Sequence, residues 1–305
     1  MFGASQHAEE LMILVAGATG MLGSEICRRL RARGEMVRGL TRSTSAADKV
    51  AALENVGVEI VRGDFKDQKS LDAACRGMDV VISTVTIIAT AQAGDSFAAT
   101  DRDGTIALID AAKQAGARQF IFVSFDTSLV PDAPLINAKR EVEAHLERSG
   151  MGYTILRPGY FMEVWLGPML FADTEAGTAR IYGAGTHPLS YVAVNDVAEV
   201  AARCVNNPAA RNAAITFGGD QVSQREALSI FEDVFAKPFN VTEVPEAGLE
   251  AQWSSATDDF SRTFSALMLS AARGGISGAP GQGTLFPDRW LSVREHTAAR
   301  RSASM

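Results

Sequence analysis

The residues best suited to chemistry come early in the chain. The apolar run Leu11-Met12-Ile13-Leu14-Val15-Ala16 leads straight into Gly17-Ala18-Thr19-Gly20-Met21-Leu22-Gly23. A buried strand that meets three glycines and then a helix makes a phosphate cradle. Gly17 lets the backbone turn sharply, Gly20 lets it approach a pyrophosphate, and Gly23 lets the helix pack tightly on the sheet. Unsatisfied N–H groups and the positive end of the helix dipole favour an anion at that point. The spacing has one more residue between the first two glycines than the commonest dinucleotide fingerprint, and it also fits a glycine-rich turn that binds nothing.

A second signal closes the next strand. NAD-binding domains carry an Asp or Glu there, roughly 20 residues past the glycines, to hold the ribose 2′-hydroxyl. This chain reads Gly39-Leu40-Thr41-Arg42-Ser43-Thr44 instead. Arg42, with the hydroxyls of Thr41 and Ser43 beside it, could grip the 2′-phosphate of NADP(H) by charge-assisted hydrogen bonds. The alternative is a solvated surface arginine. Arg38 sits inside the strand, and its direction depends on register.

Two further stretches suit the other end of a dinucleotide. Residues 84–95, rich in Thr, Ala and Ile, lie at the carboxyl end of a strand, where open α/β sheets bind ligands. Tyr160, Phe161, Met162 and Trp165 cluster just past a later strand and could stack on nicotinamide or a flat apolar substrate. Lys139 and Glu143, four apart, also read as a pair on an exposed helix face, worth about a few tenths of a kcal/mol.

The elements that must position these residues alternate strand and helix. Expected helices cover residues 21–33, 46–55, 68–75, 103–115 and 137–149; expected strands cover 36–40, 58–61, 79–83, 119–124 and 153–156. That is the pattern of a parallel sheet with right-handed crossovers. Past Pro158 the chain becomes irregular and rich in Gly and Pro. Asp196 is expected to cap a helix over 197–204, with a strand at 214–217 and a helix at 224–236. Phe260, Phe264, Leu267, Met268 and Ala271 form one apolar helical face, either core or pocket lining. Residues 274–283 read as a loop or flexible lid, and the tail after residue 298 as disordered.

Composition narrows the function. The 305 residues are 47% apolar, and 29 basic against 36 acidic side chains give a formal charge of −7. Without a basic block, nucleic acid and anionic membrane surfaces are unfavoured partners. No apolar run reaches the roughly 18 residues of a membrane span. Cys27, Cys75 and Cys204 suit free thiols in a reducing compartment, and the polar, acidic residues 1–10 lack the pattern of a secretory signal, so a cytoplasmic location is expected. His7, His145, His187 and His296 lack metal-ligand spacing, and no metal site is expected.

The chain resembles the NmrA-like group of atypical short-chain dehydrogenases/reductases, which includes isoflavone-reductase-like enzymes and NADP(H)-sensing regulators. The likeness rests on the glycine loop, Val37-Arg38-Gly39-Leu40-Thr41-Arg42, Gly63-Asp64-Phe65, Ile109-Asp110-Ala111-Ala112-Lys113-Gln114-Ala115-Gly116 and Tyr153-Thr154-Ile155-Leu156-Arg157-Pro158-Gly159-Tyr160-Phe161-Met162-Glu163. It implies a Rossmann-like, doubly wound parallel sheet with a smaller C-terminal substrate lobe. It also implies Asp64 and Phe65 beside adenine, with Thr84 and Val85 bordering the cofactor; Asp64 could equally cap a turn. Ordinary members carry a Tyr four residues before a Lys. Here Leu135 takes the place of that Tyr before Lys139. In the isoflavone-reductase-like branch a lone Lys serves, which points to Lys139 beside the nicotinamide ribose as a proton donor or acceptor. Ser124 matches the serine that orients a carbonyl in relatives. Phe125 and Asp126 come directly after it, and Asp126 could meet substrate or cap a turn.

These readings predict an NADP(H)-binding domain over residues 1–157 and a lobe over 158–305, with residues 191–220 returning to the sheet. They predict a reductase of a small, largely apolar carbonyl, enone, imine or quinone. Its catalytic residues would be Lys139, Ser124 and Tyr160, with Tyr160, Phe161 and Lys139 also at the cofactor and Phe125, Asp126, Met162 and Trp165 at the substrate. The rival is an NADP(H)-sensing regulator with little turnover, and either leaves room for a homodimer or a regulatory protein partner.

Overall fold

The computed structural model describes residues 10–275 and 278–303. The reading of the N-terminal segment therefore falls almost wholly outside the described residues. The first half alternates as expected: β1 (Met12–Ala16), α1 (Met21–Ala32), β2 (Met36–Thr41), α2 (Ala47–Glu54), β3 (Glu59–Arg62), α3 (Gln68–Cys75), β4 (Val80–Ser83), α4 (Thr105–Gln114), β5 (Gln119–Val123), α5 (Pro134–Arg148) and β6 (Gly152–Pro158). The second half adds β7 (Tyr160–Phe161), α6 (Met162–Trp165), β8 (Ala172–Asp173), β9 (Thr178–Tyr182), β10 (Pro188–Val192), α7 (Val194–Cys204), β11 (Ala213–Phe217) and β12 (Asp220–Ser223). It closes with α8 (Gln224–Phe235), β13 (Asn240–Val244), α9 (Glu246–Ser255), α10 (Asp259–Ala272) and α11 (Val293–Ala303).

Among the described residues the main sheet has seven parallel strands in the order β11-β6-β5-β4-β1-β2-β3. Alternate side chains of each central strand feed opposite cores, the period-two rule of a sheet buried on both faces. Ile13, Val15, Val80, Ile82, Ile121 and Val123 meet the face covered by α1 and α7. Leu14, Ala16, Val81, Phe120 and Phe122 meet the face carrying Leu71 of α3, Leu108 of α4 and Val142 of α5. The strand order reverses between β1 and β4, and Ala16 lies level with Ser83. The glycine loop and the β4 loop thus open at the switch point where such sheets bind ligands.

The smaller lobe holds two three-stranded sheets, β12-β10-β7 and β13-β9-β8, around a core of its own. That core includes Phe171, Tyr191, Phe231 and Met268, and it reaches across to Phe97, Leu135 and Ile136. Helix α5 therefore joins two cores: Leu135 and Ile136 serve the lobe, whereas Val142 and Leu146 serve the sheet.

Several expectations need correction. Helix α5 starts a turn earlier than expected because Pro134 occupies its first positions, where a missing N–H is harmless. A π-helix, Phe97–Gly104, precedes α4; its wider winding breaks the 3.6-residue period used to read the sequence. Ala193, not Asp196, is the N-cap of α7, and Asp196 Oδ2 instead accepts from the Leu291 amide at 2.9 Å. Residues 276 and 277 of the expected lid lie outside the described residues. The segment just beyond them is pinned: Ser190 Oγ donates to the Gly278 carbonyl at 2.6 Å and Pro280 bridges Gly218. The expected disordered tail is helical to Ala303, held by Arg300 donating to the Leu166 carbonyl at 2.6 Å and lying over the Phe231 ring.

Candidate functional site

The glycine loop is built as a cradle. Gly17 has φ +81°, which an L side chain rarely adopts. A Cβ at Gly23 would lie 2.2 Å from the Gly17 carbonyl oxygen, so only glycine lets α1 start this close to β1. Gly20 is the N-cap and offers no side-chain cap, and the first turn carries no acid. The amides of that turn keep their capacity for an anion, with Met21 exposed and Leu22 buried beneath. Thr84 closes the floor, its amide and hydroxyl both donating to the Ala16 carbonyl at 3.1 Å, and Val85 packs beside Gly17. Thr19 Oγ1 lies 3.4 Å from Ser45 Oγ, tying the cradle to the loop after β2.

At the β2 edge, Arg42 is not a solvated arginine. It donates to Asp95 Oδ2 at 3.0 Å and to the Thr90 carbonyl at 3.2 Å. Lys66 Nζ binds the other oxygen of Asp95 at 2.6 Å. Asp95 has a side chain only 3% exposed and also accepts from the Gln92 amide. Burial alone pushes its carboxyl up, but the hydrogen bonds from Lys66 and Gln92 and the charges of Lys66 and Arg42 outweigh that and hold it below the usual range. Two cations share this carboxylate, and Asp64 Oδ1 lies 4.0 Å from Lys66 Nζ. Ser43 is exposed nearby, while Thr41 is buried with its hydroxyl unpartnered. Asp64 Oδ1 caps the turn to the Lys66 amide at 2.8 Å, and Phe65 packs under Gly104. Sequence reading missed Lys66 and Asp95, which lie 29 residues apart and meet only through folding.

The β5 edge is different. Lys139 is 5% exposed, and its Nζ donates to the Val123 carbonyl at 3.2 Å and sits 4.6 Å from the Phe122 ring centroid. The exposed Lys139–Glu143 pair is overturned: both residues are buried, and Glu143 is bound by Arg157 of β6. Burial lowers the Lys139 pKa, opposed by the charges of Asp101 and Glu143. Next to Val123, Ser124 is 5% exposed and its hydroxyl has no partner among the described residues. Asp126 Oδ1 accepts from the Ser128 amide at 2.9 Å, so it caps a turn, and Phe125 packs on the lobe core.

The aromatic cluster divides. Tyr160 is 1% exposed, edge-on to Trp165 with centroids 4.5 Å apart. A Cβ at Gly275 would lie 2.3 Å from the Tyr160 hydroxyl, so that hydroxyl points into packed protein. This corrects the catalytic and cofactor expectation for Tyr160: it is a core tyrosine. Met162 is fully buried with it, and Trp165 is partly buried against the same core. Phe161 packs toward the main-sheet core instead. The α10 stripe also splits, with Leu267, Met268 and Ala271 buried but Phe260 and Phe264 exposed at 39% and 45%.

Among the described residues no cluster of His, Cys, Asp and Glu could hold a metal, and no helix is long and apolar enough to cross a membrane. The three thiols are buried and free, and burial pushes each up to about 12.

With this geometry the chain matches the NmrA-like family over residues 9–264, and it belongs to that family. It is 30% identical over 243 residues to the photosystem II assembly factor Ycf39 of Synechocystis sp., covering 78% of this chain and 72% of that protein. It is also 30% identical over 213 residues to an NAD(P)H azoreductase of Xenophilus azovorans, covering 69% and 68%. The fold is similar to that of an Escherichia coli NADPH-dependent quinone oxidoreductase complexed with NADPH. The TM-score is 0.73 at 21% identity, over 95% of this chain and 100% of that one.

Proposed function

We propose that this protein is an NADP(H)-dependent reductase of a small, largely apolar carbonyl, enone, imine or quinone. The observation that carries the reading is Lys139, a buried amine at the carboxyl end of β5 beside the unpartnered Ser124 hydroxyl. NADP(H), when bound, supplies the hydride. The chain supplies the rest. Amides of the Gly17–Gly23 loop hold the pyrophosphate, and Arg42 and Lys66 hold the 2′-phosphate. Lys139 gives a proton to the oxygen or nitrogen that gains charge, and Ser124 Oγ orients that atom. The azoreductase and quinone oxidoreductase likenesses support a flat, conjugated acceptor. The free thiols support a cytoplasmic location.

A second reading has a specific observation behind it. Leu135 stands where ordinary relatives have Tyr, and one relative is an assembly factor. A protein that binds NADP(H) and acts on a protein partner fits both. The test is a fluorescence titration with NADPH and NADH, followed by NADPH consumption across quinones, enones, carbonyls and azo dyes. The proposal expects NADPH to bind at least about tenfold more tightly, a preference that Arg42→Ala removes, and at least one acceptor to be reduced. Tight binding with no turnover on any acceptor would favour the second reading.

A further inference from the structure

We propose that Asp95 is the positioning residue that sets this chain's preference for NADPH over NADH, its carboxylate holding Arg42 and Lys66 side by side to meet the 2′-phosphate. The inference deepens the NADP(H) reading given above and rests on it for the ligand. The arrangement of the three side chains stands on its own geometry.

These charged groups come from three different loops. Arg42 follows β2, Lys66 follows β3, and Asp95 stands at the far end of the loop that leaves β4. In the strand order β4-β1-β2-β3 that loop has to pass the carboxyl end of β1, where the glycine cradle opens, before it reaches Arg42 and Lys66. Its near end is tied to β1, the Thr84 hydroxyl donating to the Ala16 carbonyl at 3.1 Å. Its far end is tied to the β2 loop three times. Arg42 donates to Asp95 Oδ2 at 3.0 Å and to the Thr90 carbonyl at 3.2 Å, and Thr44 Oγ1 donates to Gln92 Oε1 at 2.8 Å. Lys66 Nζ adds a bond from the β3 loop to Asp95 Oδ1 at 2.6 Å. Residues 84–95 thus form a strap that closes the β2 end of the crevice, and Asp95 is the point where three loops meet.

Asp95 suits this work because its side chain is 3% exposed and both of its oxygens are engaged. The Gln92 amide donates to Oδ2 at 3.0 Å and the Thr100 hydroxyl to Oδ1 at 3.4 Å, alongside the two cations. The carboxylate itself is therefore fixed. Arg42 and Lys66 keep donors in reserve, since a guanidinium has five N–H groups and an ammonium three. Their side chains are 32% and 35% exposed, so a ligand can reach those donors. Two like charges brought together repel, and two long side chains lose rotamer freedom when a ligand orders them. A carboxylate shared between them removes both costs before the ligand arrives. Asp64, the second acid beside Lys66, cannot replace it. That side chain is 44% exposed, lies 4.0 Å from Lys66 Nζ and caps its own turn. NADH carries a hydroxyl in place of the 2′-phosphate, so the paired cations have no anion to meet. A carboxylate also repels a phosphate, and the sign of the measured effect decides which action wins.

Titration calorimetry with NADPH and NADH on the native chain, Asp95→Asn and Asp95→Glu tests this. Positioning predicts that Asp95→Asn weakens NADPH binding by about tenfold while NADH changes by less than about twofold. Asp95→Glu restores the charge and should hold NADPH within about threefold of the native value. A crystal structure of the native chain with NADPH keeps the test alive if Asp95→Asn fails to fold: both cations should still contact Asp95 while they contact the phosphate. A phosphate that displaces Asp95 from either cation overturns the proposal. So does an equal loss for both cofactors, which makes Asp95 a structural tie only, or tighter NADPH binding by Asp95→Asn, which makes the carboxylate a competitor. A native preference for NADPH that Asp95→Asn leaves unchanged overturns this inference alone, whereas a native chain that binds both cofactors equally overturns the NADP(H) reading and this inference with it.

Discussion

The β2 edge and the β5 edge of the crevice treat their polar groups in opposite ways. At the β2 edge the charged groups are all engaged: Arg42 and Lys66 share Asp95, and Gln92 and Thr90 complete the set. At the β5 edge Ser124 and Lys139 are buried with bonding capacity to spare. Matched ion pairs hold a binding surface in shape before its ligand arrives, which lowers the cost of ordering it. Unmatched buried groups sacrifice stability and become useful only when a reacting partner completes them. On the reading proposed above, grip belongs to one edge and chemistry to the other.

Substitution in the two edges should therefore have unequal effects on stability. Asp95→Asn strands two cations and should cost about 1–2 kcal/mol, discounted because Arg42 and Lys66 are each about a third exposed. The Asp95 pKa is held low in the folded chain, so its contribution is present above the unfolded carboxyl value of about 3.9 and is lost as pH falls through the folded value. Urea melts of both proteins should converge as the pH drops below about 4. A variant as stable as the native chain at pH 7 would break the contrast. Ser124→Ala removes a hydroxyl without a partner, so its stability should change by less than about 0.5 kcal/mol. Its turnover should still fall by roughly tenfold or more. A large loss of stability would mean that the hydroxyl is structural after all.

Much of the fold could be read from the chain because its signals are local. The β1 apolar run, the glycines and the alternation of strand and helix each depend on neighbours in sequence, and the seven-stranded sheet results from them. The site was less legible. Arg42 announces itself by standing where an acid is usual, but its partner Asp95 and the second cation on that carboxylate, Lys66, come from other loops. The π-helix over residues 97–104 was hidden because its winding does not repeat at the helical period used to read the sequence. The one local cue was its acid two residues before Asp103 ahead of an apolar helix, which equally fits an N-terminal turn. Tyr160 misled in the opposite sense: an aromatic residue after a strand suits a cofactor and a core equally, and only the packing of Gly275 and Trp165 decides. The Lys139–Glu143 spacing was present but irrelevant, since Arg157 outcompetes Lys139 for the carboxylate.

Lys139 as proton donor is what would make this chain a working reductase. The most direct measurement compares the native chain with Lys139→Met for NADPH affinity, and for NADPH consumption with the best acceptor from the panel. Donation from Lys139 predicts at least about a hundredfold loss of turnover with the NADPH dissociation constant nearly unchanged. Equal turnover by the two proteins would contradict it.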